Sequence, residues 1–373
     1  MSFFKSCIVI VLILTLQSCS ILRLTIYNVS DITDYRIFPS RKISASDNVF
    51  YFPRKNETVI PDSVSIKKQS KRNKESFENF LERNKTVAFI VIHNDSIEFE
   101  KYFNGYSEKS IVASFSMAKS IMGILIGCAI DDGLINSVDD SVVCYLPDLD
   151  ENEIKGVTIR DLLNMTSGIK FSENYFNPLS NAAGFYYGKG IRKKISRLKV
   201  DEKPGQTFNY NSGNSQLLGL LLEKVLNGRS VSEYLHEKIW NPLGMEYDAT
   251  WSIDSNYNGI EKTFCCVNAR AIDFAKIGGL YLKKGFWRGK PVISENWVNS
   301  STRIDTTSNG KWFYRNQWWI HSKNGDFGAE GHNGQFIYVN PQKNLVIVRL
   351  GKRYGKIQNW YPIFTQISKK YKS

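Results

Sequence analysis

The stretch Ser114-Phe-Ser-Met-Ala-Lys-Ser-Ile-Met-Gly-Ile-Leu-Ile-Gly-Cys-Ala-Ile130 decides the fold. Its residues after Lys119 are uncharged for roughly three turns, which predicts a buried helix. Ser116 and Lys119 stand three residues apart at its start, so the hydroxyl and the amine share one helix face. The helix N-terminus favours an alkoxide on Ser116, and apolar surroundings lower the pKa of a lysine until its free amine can act as a base.

The Ser-x-x-Lys spacing is weak evidence without this context. Other matches beyond the first nineteen residues begin at Ser65, Ser167, Ser196 and Ser308. They lie in polar, glycine-bearing or basic stretches, whereas a two-strand pattern precedes Ser116 and a long apolar helix follows it. The alternative interpretation is that Ser116 merely begins the helix and that Lys119 extends from a core helix to solvent.

The composition is that of a globular protein and argues against several classes of function. The chain has 373 residues, of which 42% are hydrophobic, and a formal net charge of +13. The length suggests one large domain or two. Because Lys and Arg are scattered, we predict no nucleic-acid partner, and attraction to an anionic envelope is the weaker alternative. With four His and no paired spacing, neither a metal site nor a cofactor is expected.

Residues 1–19 predict a lipoprotein-type signal peptide. Lys5 precedes an apolar run, 7–16, that is too short to span a bilayer, and the segment ends Leu16-Gln-Ser-Cys19. This resembles a bacterial lipoprotein signal, which implies lipidation of Cys19, although Gln17 replaces the usual small residue. The prediction is an exported protein of the bacterial cell envelope, anchored to the membrane by lipid and facing the periplasm or lying on the outer membrane. Ordinary secretion and an uncleaved anchor are the alternatives.

The cysteines beyond the signal segment do not predict a disulfide framework. Cys128 lies in the apolar helix and is expected to be a small core residue. Cys265 and Cys266 are adjacent, and we expect them neither to pair with each other nor to hold zinc.

The order of patterns predicts a mixed α/β (α+β) fold. An antiparallel sheet is built from both chain ends and flanked by helices, with a mostly helical region inserted at about 133–300. A hairpin is predicted at 86–103 and further strands at 335–339 and 344–350. Residues 20–74 are expected to form a tether and an N-terminal extension, with a strand-like piece at 49–52, and residues 75–373 the main domain.

Three signatures in a fixed order resemble one enzyme family. They are Ser116-Met-Ala-Lys119, then Pro204-Gly-Gln-Thr-Phe-Asn-Tyr210-Asn-Ser212 before an apolar helix, then Gly331-His-Asn-Gly334-Gln335. The set resembles the penicillin-recognising serine hydrolases, which include class C β-lactamases, serine-type D,D-peptidases and esterase and amidase relatives. The third signature stands where many members carry Lys-Thr-Gly. The resemblance covers residues 75–373 and implies a fold like that of β-lactamases and penicillin-binding proteins.

The resemblance implies a role for each residue of the first two signatures. Ser116 would attack an acyl carbonyl and form an acyl-enzyme, and Lys119 would accept its proton. Tyr210 would relay protons, with a pKa lowered by Lys119; the alternative is a tyrosine in a surface turn. Ser212 stands where the family often has Asn and would hydrogen-bond Lys119 or substrate.

The third signature would complete an oxyanion site. Its donors would be the backbone N–H groups of Ser116 and Gln335, and Gly334 would leave room for substrate along the strand. His332 replaces the usual Lys, and a switchable imidazole suits a substrate carboxylate less well than a permanent cation does. This favours esterase or amidase relatives such as 6-aminohexanoate-dimer hydrolase; the alternative is a structural His. Trp318 and Trp319 could line the acyl pocket or belong to the core.

The sequence therefore predicts an exported serine hydrolase that cleaves a small-molecule ester, amide or peptide through an acyl-enzyme on Ser116. The alternatives are a D-amino-acid peptidase, a β-lactamase, and a penicillin-binding or sensor module without turnover. Two segments, about 170–200 and 305–330, are expected to form the loops that decide the substrate.

Overall fold

The computed structural model describes residues 26–27, 29–55, 63–64, 75–304 and 312–372. The predicted signal peptide and Cys19 lie outside these residues, so both stay predictions. In the described part of the chain no helix has the length and apolar character needed to cross a membrane.

Strands and helices alternate along the described chain. The strands are β1 (Ser40–Ile43), β2 (Ser63–Val64), β3 (Glu75–Ser76), β4 (Thr86–His93), β5 (Ser96–Tyr102), β6 (Val112–Ala113), β7 (Ala249–Ser252), β8 (Val267–Ala269), β9 (Phe286–Trp287), β10 (Lys290–Pro291), β11 (Tyr314–Arg315), β12 (Trp318–Ile320), β13 (Phe327–Gly331), β14 (Gln335–Asn340) and β15 (Leu345–Gly351). The helices are α1 (Phe77–Arg83), α2 (Met117–Asp131), α3 (Ile159–Leu163), α4 (Asn181–Tyr187), α5 (Ile191–Ile195), α6 (Ser212–Val225), α7 (Val231–Leu235), α8 (Ala271–Leu282), α9 (Glu295–Thr302) and α10 (Tyr361–Ser368). A π-helical segment, His236–Trp240, continues α7.

The central sheet joins the two ends of the chain. Its order is β11-β12-β13-β14-β15-β4-β5, and every neighbouring pair is antiparallel. The predicted hairpin is present as β4 and β5, whose turn residues Asn94 and Asp95 both have positive φ, as a two-residue hairpin turn requires. The prediction of a mixed fold around an antiparallel sheet from both chain ends is confirmed.

Each face of the sheet is covered, which is why its central strands are almost continuously apolar. Along β4, Ile90 and Ile92 face one core, whereas Phe89 and Val91 face the other, as the two-residue period of a strand dictates. The first core packs α2 and α8 against the sheet, and the second packs α1 and α10. A strand buried on both faces cannot show alternation of polar and apolar residues.

Helix α2 lies deep in the first core. Its side chains are buried from Met117 to Ala129. Two glycines allow neighbours to approach closely, since a Cβ on Gly123 would clash with the Asn316 carbonyl and one on Gly127 with the Trp297 ring. The helix predicted from the opening stretch is therefore present and buried.

One local prediction needs correction. The strand-like piece at 49–52 forms no strand, because Phe50 donates its backbone N–H to the carbonyl of Gly244 in a loop contact of 2.9 Å. The mostly helical middle of the chain also contains short strands. Strands β7 and β8 join β1 and β6 in a second antiparallel sheet, in the order β1-β7-β8-β6.

Candidate active site

Ser116 stands where three elements meet. It is the residue before α2 and follows Phe115, which is buried with φ of +46°. A non-glycine residue held in the left-handed region is strained, and such strain is typical of active sites. The end of β13 lies against this turn, since a Cβ on Gly331 would clash with the carbonyl oxygen of Ser114.

Lys119 points into the protein and not to solvent. Its Nζ lies 3.1 Å from Ser116 Oγ and 3.1 Å from Ser212 Oγ, and donates to the Phe264 carbonyl oxygen at 2.8 Å. The residue is 1% exposed. Burial lowers the pKa of Lys119 to about 8, although the negative charge of Glu173 acts in the opposite direction. The free amine is therefore the minor form at pH 7 and becomes the major form above about pH 8.

Tyr210 contacts the same serine from the segment before α6. Its hydroxyl hydrogen-bonds Ser116, and its ring stacks on Trp319 at 5.5 Å between centroids. The expectation that Lys119 lowers the pKa of Tyr210 is wrong: burial raises this pKa, and outweighs the hydrogen bond to Ser116 that lowers it. Tyr210 is thus a neutral phenol suited to donating a proton. Trp319 lines the cavity, whereas Trp318 is buried against Tyr281 in the core.

Ser212 connects Lys119 to a carboxylate that sequence reasoning missed. Its hydroxyl donates to Glu173 Oε1 at 2.6 Å, and its backbone N–H donates to Glu173 Oε2 at 2.9 Å. The Tyr175 hydroxyl lies 3.1 Å from the same Ser212 oxygen. Glu173 and Tyr175 belong to a loop with no periodic pattern and no motif, so no signal in the sequence identified them.

The turn between β13 and β14 differs from the sequence-based expectation. Gly331 and His332 line the cavity, but Gly334 and Gln335 do not. The Gln335 amide instead binds the backbone of Gly351, donating at 2.7 Å and accepting at 3.1 Å. This side-chain amide joins the start of β14 to the end of β15. The oxyanion role expected for Gln335 belongs to its backbone N–H and stays a prediction.

Gly334 is required by its backbone and by a buried neighbour. Its φ is +83°, and a Cβ there would clash with the guanidinium of Arg349, which donates to the Gly334 carbonyl oxygen at 2.6 Å. The glycine accommodates this buried arginine, and its role in leaving room for substrate stays a prediction. Arg349 holds the turn that carries His332.

His332 is solvent-exposed on the cavity side, with its ring edge-on to Phe115 at 5.6 Å between centroids. The partial burial of the ring, and then the charge of Arg353, lower the pKa of His332. The imidazole is therefore neutral at physiological pH and does not replace a permanent cation.

Comparison with known proteins agrees with this geometry. Residues 74–360 match the family model described as Beta-lactamase. The chain belongs to the beta-lactamase family. It is 28% identical over 295 residues to the 6-aminohexanoate-dimer hydrolase of Paenarthrobacter ureafaciens, covering 73% of this chain and 74% of the relative.

Solved structures extend the comparison over most of the chain. A putative 6-aminohexanoate-dimer hydrolase from Bacillus anthracis superposes with a TM-score of 0.79 at 25% identity, covering 91% of each chain. A family VIII carboxylesterase has a TM-score of 0.57 at 15% identity, covering 74% of this chain and 88% of that one, which shows a common fold. The family resemblance and the fold class predicted from the three signatures are confirmed.

The cavity of this beta-lactamase-family member measures about 250 Å³. Ser116, Tyr210 and Trp319 line it, together with two carboxyl groups, Glu173 and Glu330. Burial raises the pKa of Glu330 to about 7. Among the described residues, no cluster of His, Cys, Asp or Glu is arranged to hold a metal ion.

A disulfide joins Cys265 to Cys266 beside the cavity, with a Cα–Cα distance of 3.7 Å. The expectation that these neighbours would not pair is wrong. The left-handed backbone of Cys266, with φ of +74°, brings the two side chains together. Cys265 lines the cavity, and the residue before it, Phe264, supplies the carbonyl that holds Lys119.

Proposed function

We propose that the protein is a serine hydrolase that cleaves ester or amide bonds through an acyl-enzyme on Ser116. One observation carries this proposal: the Ser116 hydroxyl has the Lys119 amine at 3.1 Å and the Tyr210 phenol as a second hydrogen-bond partner, at the edge of an open cavity. A nucleophile, a base and an acid in mutual contact are the groups that acyl transfer needs.

Acylation follows from the protonation states of these groups. The free amine of Lys119 accepts the Ser116 proton as Oγ attacks the substrate carbonyl carbon. The carbon–heteroatom bond then breaks, and the phenol of Tyr210 donates a proton to the departing alcohol or amine. The proton that Lys119 took returns to Tyr210 through the hydrogen-bonded contacts around Ser116, so the charge balance is restored.

The developing oxyanion needs fixed donors, and two backbone N–H groups are suitably placed. Ser116 and His332 both line the cavity, and neither donates its N–H to another backbone group of the described chain. The second donor is assigned to the turn between β13 and β14, to the N–H of His332, with the N–H of Gln335 predicted from the sequence as the alternative. Such donors are already oriented when the reaction begins. In other enzymes, removing one of them raises the activation free energy by about 2.7–4 kcal/mol.

Deacylation uses the same groups in reverse, with water in place of the alcohol. Water attacks the acyl carbon and gives a proton to the amine of Lys119. The bond from the acyl carbon to Ser116 Oγ then breaks, Oγ takes that proton back from Lys119, and the product leaves as a carboxylic acid. The neutral His332 disfavours β-lactam and D-alanine substrates, whose carboxylate suits a cation. The names of two relatives, a dimer hydrolase of 6-aminohexanoate and a carboxylesterase, support amide or ester substrates.

The cellular location is proposed from the sequence alone. A lipid on Cys19 would anchor the enzyme to a bacterial envelope membrane. Metabolic labelling with an alkyne fatty acid should mark the wild-type protein, and Cys19→Ala should remove the label. Labelling that persists in Cys19→Ala would contradict the anchor.

Labelling and turnover together test the hydrolase proposal. A fluorophosphonate probe should modify Ser116 in the wild type, as located by peptide mass mapping, and Ser116→Ala should abolish both labelling and hydrolysis of neutral p-nitrophenyl esters. The same screen includes D-amino-acid p-nitroanilides and a chromogenic cephalosporin. Label on another residue, or one burst of acylation with no turnover on any substrate, would contradict the proposed function.

A further inference from the structure

The charge of the cavity wall is a feature that the hydrolytic reaction does not use. Among the described residues that line the cavity, Glu173 and Glu330 are acidic and none is Lys or Arg. The amine of Lys119 lies behind this wall, occupied by Ser116, Ser212 and the Phe264 carbonyl. A bound substrate therefore meets carboxylates and no free cation of the described chain.

The two carboxylates differ in what already binds them. Glu173 Oε1 accepts from the hydroxyls of Ser212 at 2.6 Å and Tyr175 at 3.2 Å, and Oε2 accepts the backbone N–H of Ser212 at 2.9 Å. Both of its oxygens are therefore committed to protein groups. Glu173 positions Ser212, and three of its roughly four acceptor sites are already used by protein groups.

Glu330 has its hydrogen-bonding capacity free. It lies on β13, directly before Gly331, and no described group donates a hydrogen bond to its carboxyl oxygens. The nearest basic nitrogen recorded for it is His321 Nδ1, at 4.0 Å. Burial lowers the pKa of His321 well below its usual value, so this ring is neutral and supplies no counter-charge. The Glu330 side chain is 32% exposed, towards the cavity, so its carboxylate is only partly hydrated and a cationic partner would stabilise it.

We propose that Glu330 binds a protonated amine of the substrate, so that the enzyme prefers amine-bearing esters or amides to neutral and carboxylate-bearing ones. This inference rests on the proposed hydrolysis at Ser116. The raised pKa of Glu330, about 7, agrees with a carboxylate that has no hydrogen-bond donor among the described residues. At pH 8 most Glu330 side chains are ionised and ready to receive an ammonium group.

Arg353 is the cationic group that could instead favour a negatively charged substrate. It lies near enough to lower the pKa of His332. Its guanidinium, however, donates to the Ser30 carbonyl at 3.4 Å and pairs with Asp31 at 3.6 Å. Asp31 offsets the charge of Arg353, and the guanidinium does not line the cavity. A preference for substrate carboxylates would show that Arg353 and not Glu330 decides selectivity.

The test compares p-nitrophenyl esters that differ only in the charge of the acyl end. Glycyl, β-alanyl and 6-aminohexanoyl esters are each compared with the N-acetyl derivative, and with a carboxylate-ended ester of similar length, at pH 8. Each kcat/KM is divided by the spontaneous hydrolysis rate of that ester. At least one amino ester should exceed its N-acetyl counterpart by about tenfold or more, as expected for a charge-assisted hydrogen bond.

Variants then test whether Glu330 causes the preference for the amino esters. Glu330→Gln keeps the size of the side chain and removes its charge, so the ratio of amino to N-acetyl ester should fall towards one. Glu151→Gln, an exposed residue of the 150–156 loop, makes the same change in net charge and should keep the wild-type ratio. Glu330→Lys should reverse the order in favour of the carboxylate ester.

Several outcomes would overturn the inference. These are equal normalised rates for amino and N-acetyl esters in the wild type, a preference that survives Glu330→Gln, or a wild-type preference for the carboxylate ester. Inhibition of neutral-ester hydrolysis by protonated hexylamine, compared with hexanol, gives a second measurement on the wild type if the variants do not fold. Ser116-dependent hydrolysis of the neutral ester reports on the proposed function separately, so the two ideas can fail independently.

Discussion

In the proposed mechanism Lys119 acts as the base and Tyr210 as the acid. Below the Lys119 pKa of about 8 the amine holds a proton and cannot take that of Ser116. The kcat/KM for a neutral ester should therefore rise with pH through about 8 and level off above it. The arginine of Lys119→Arg stays protonated at every pH of this profile, so the substitution should lower kcat by about 10²- to 10⁴-fold. Lys155→Arg, on the exposed surface, is the control; a flat profile from pH 6.5 to 9.5 would contradict the base assignment.

Glu173 should shift this pH profile, because it is connected to Lys119 through the hydroxyl of Ser212. Its negative charge raises the pKa of Lys119, so Glu173→Gln should move the midpoint of kcat/KM to lower pH. The amide also cannot accept both Ser212 donors as the carboxylate does, so kcat should fall. Rate profiles for the variant, with Glu151→Gln as the charge-matched control, check both effects. An upward shift of the midpoint would show that the electrostatic argument is wrong.

At the residue scale, motif and chemistry predicted Ser116, Lys119 and Tyr210 as one site, and the structure brings the three side chains together around one hydroxyl. Glu173 could not be found in this way, because a loop contact with Ser212 has no sequence period. Glu330 left a faint signal, a carboxylate within the mostly apolar and glycine-rich strand Phe327–Gly331. The direction of the Tyr210 pKa shift depends on how completely neighbours such as Trp319 exclude water, which a sequence does not state.

Among the elements, the turn from β13 to β14 shows what a strand pattern leaves out. The run Gln335–Asn340 is apolar and is a clear strand signal, so the active-site edge was assigned to its start. The preceding strand β13 is short and contains glycines, which weaken its signal. The end of β13 lies against Ser114, and Gly331 and His332 line the cavity there.

The segment that links β7 to β8 carries a prediction about its cysteines. Non-reducing tryptic digestion should release the peptide Thr263–Arg270 two hydrogens lighter than its dithiol form and resistant to alkylation. The free Cys128 and Cys144 should alkylate after unfolding without a reductant. Reduction before the assay should lower kcat/KM several-fold, because Cys265 follows the carbonyl that holds Lys119. Complete alkylation of Thr263–Arg270 in oxidised protein would contradict the pairing.

Over the whole molecule, the sequence predicts that strands from both chain ends share one sheet, but it does not predict which strands of the two ends pair. The hairpin at 86–103 and the strands near the C-terminus have strong patterns, and short connections made them neighbours in the sheet. The pairing of β4 with β15 across the full length of the chain, and the assignment of each face to a core, depend on long-range packing. The small sheet of β1, β7, β8 and β6 depends on it too, since its strands are too short to leave a pattern.

Trp360 connects the chain ends to the active site. It is fully buried between Phe80 of α1 and Phe364 of α10, and the Arg349 guanidinium lies 3.7 Å from its ring centroid. Trp360→Ala should lower the free energy of unfolding by about 3–5 kcal/mol, through lost burial and the cavity that remains.

The same substitution should reach the catalytic centre, because Arg349 holds the Gly334 carbonyl and with it the turn of His332. At a temperature where the variant is folded, kcat/KM should therefore fall while fluorophosphonate still labels Ser116. Trp312→Ala removes an exposed ring and should change stability by less than about 0.5 kcal/mol. Urea unfolding followed by circular dichroism, with ester hydrolysis on the same samples, separates the two effects. Equal stability losses in both variants would show that the chain ends are not joined through Trp360.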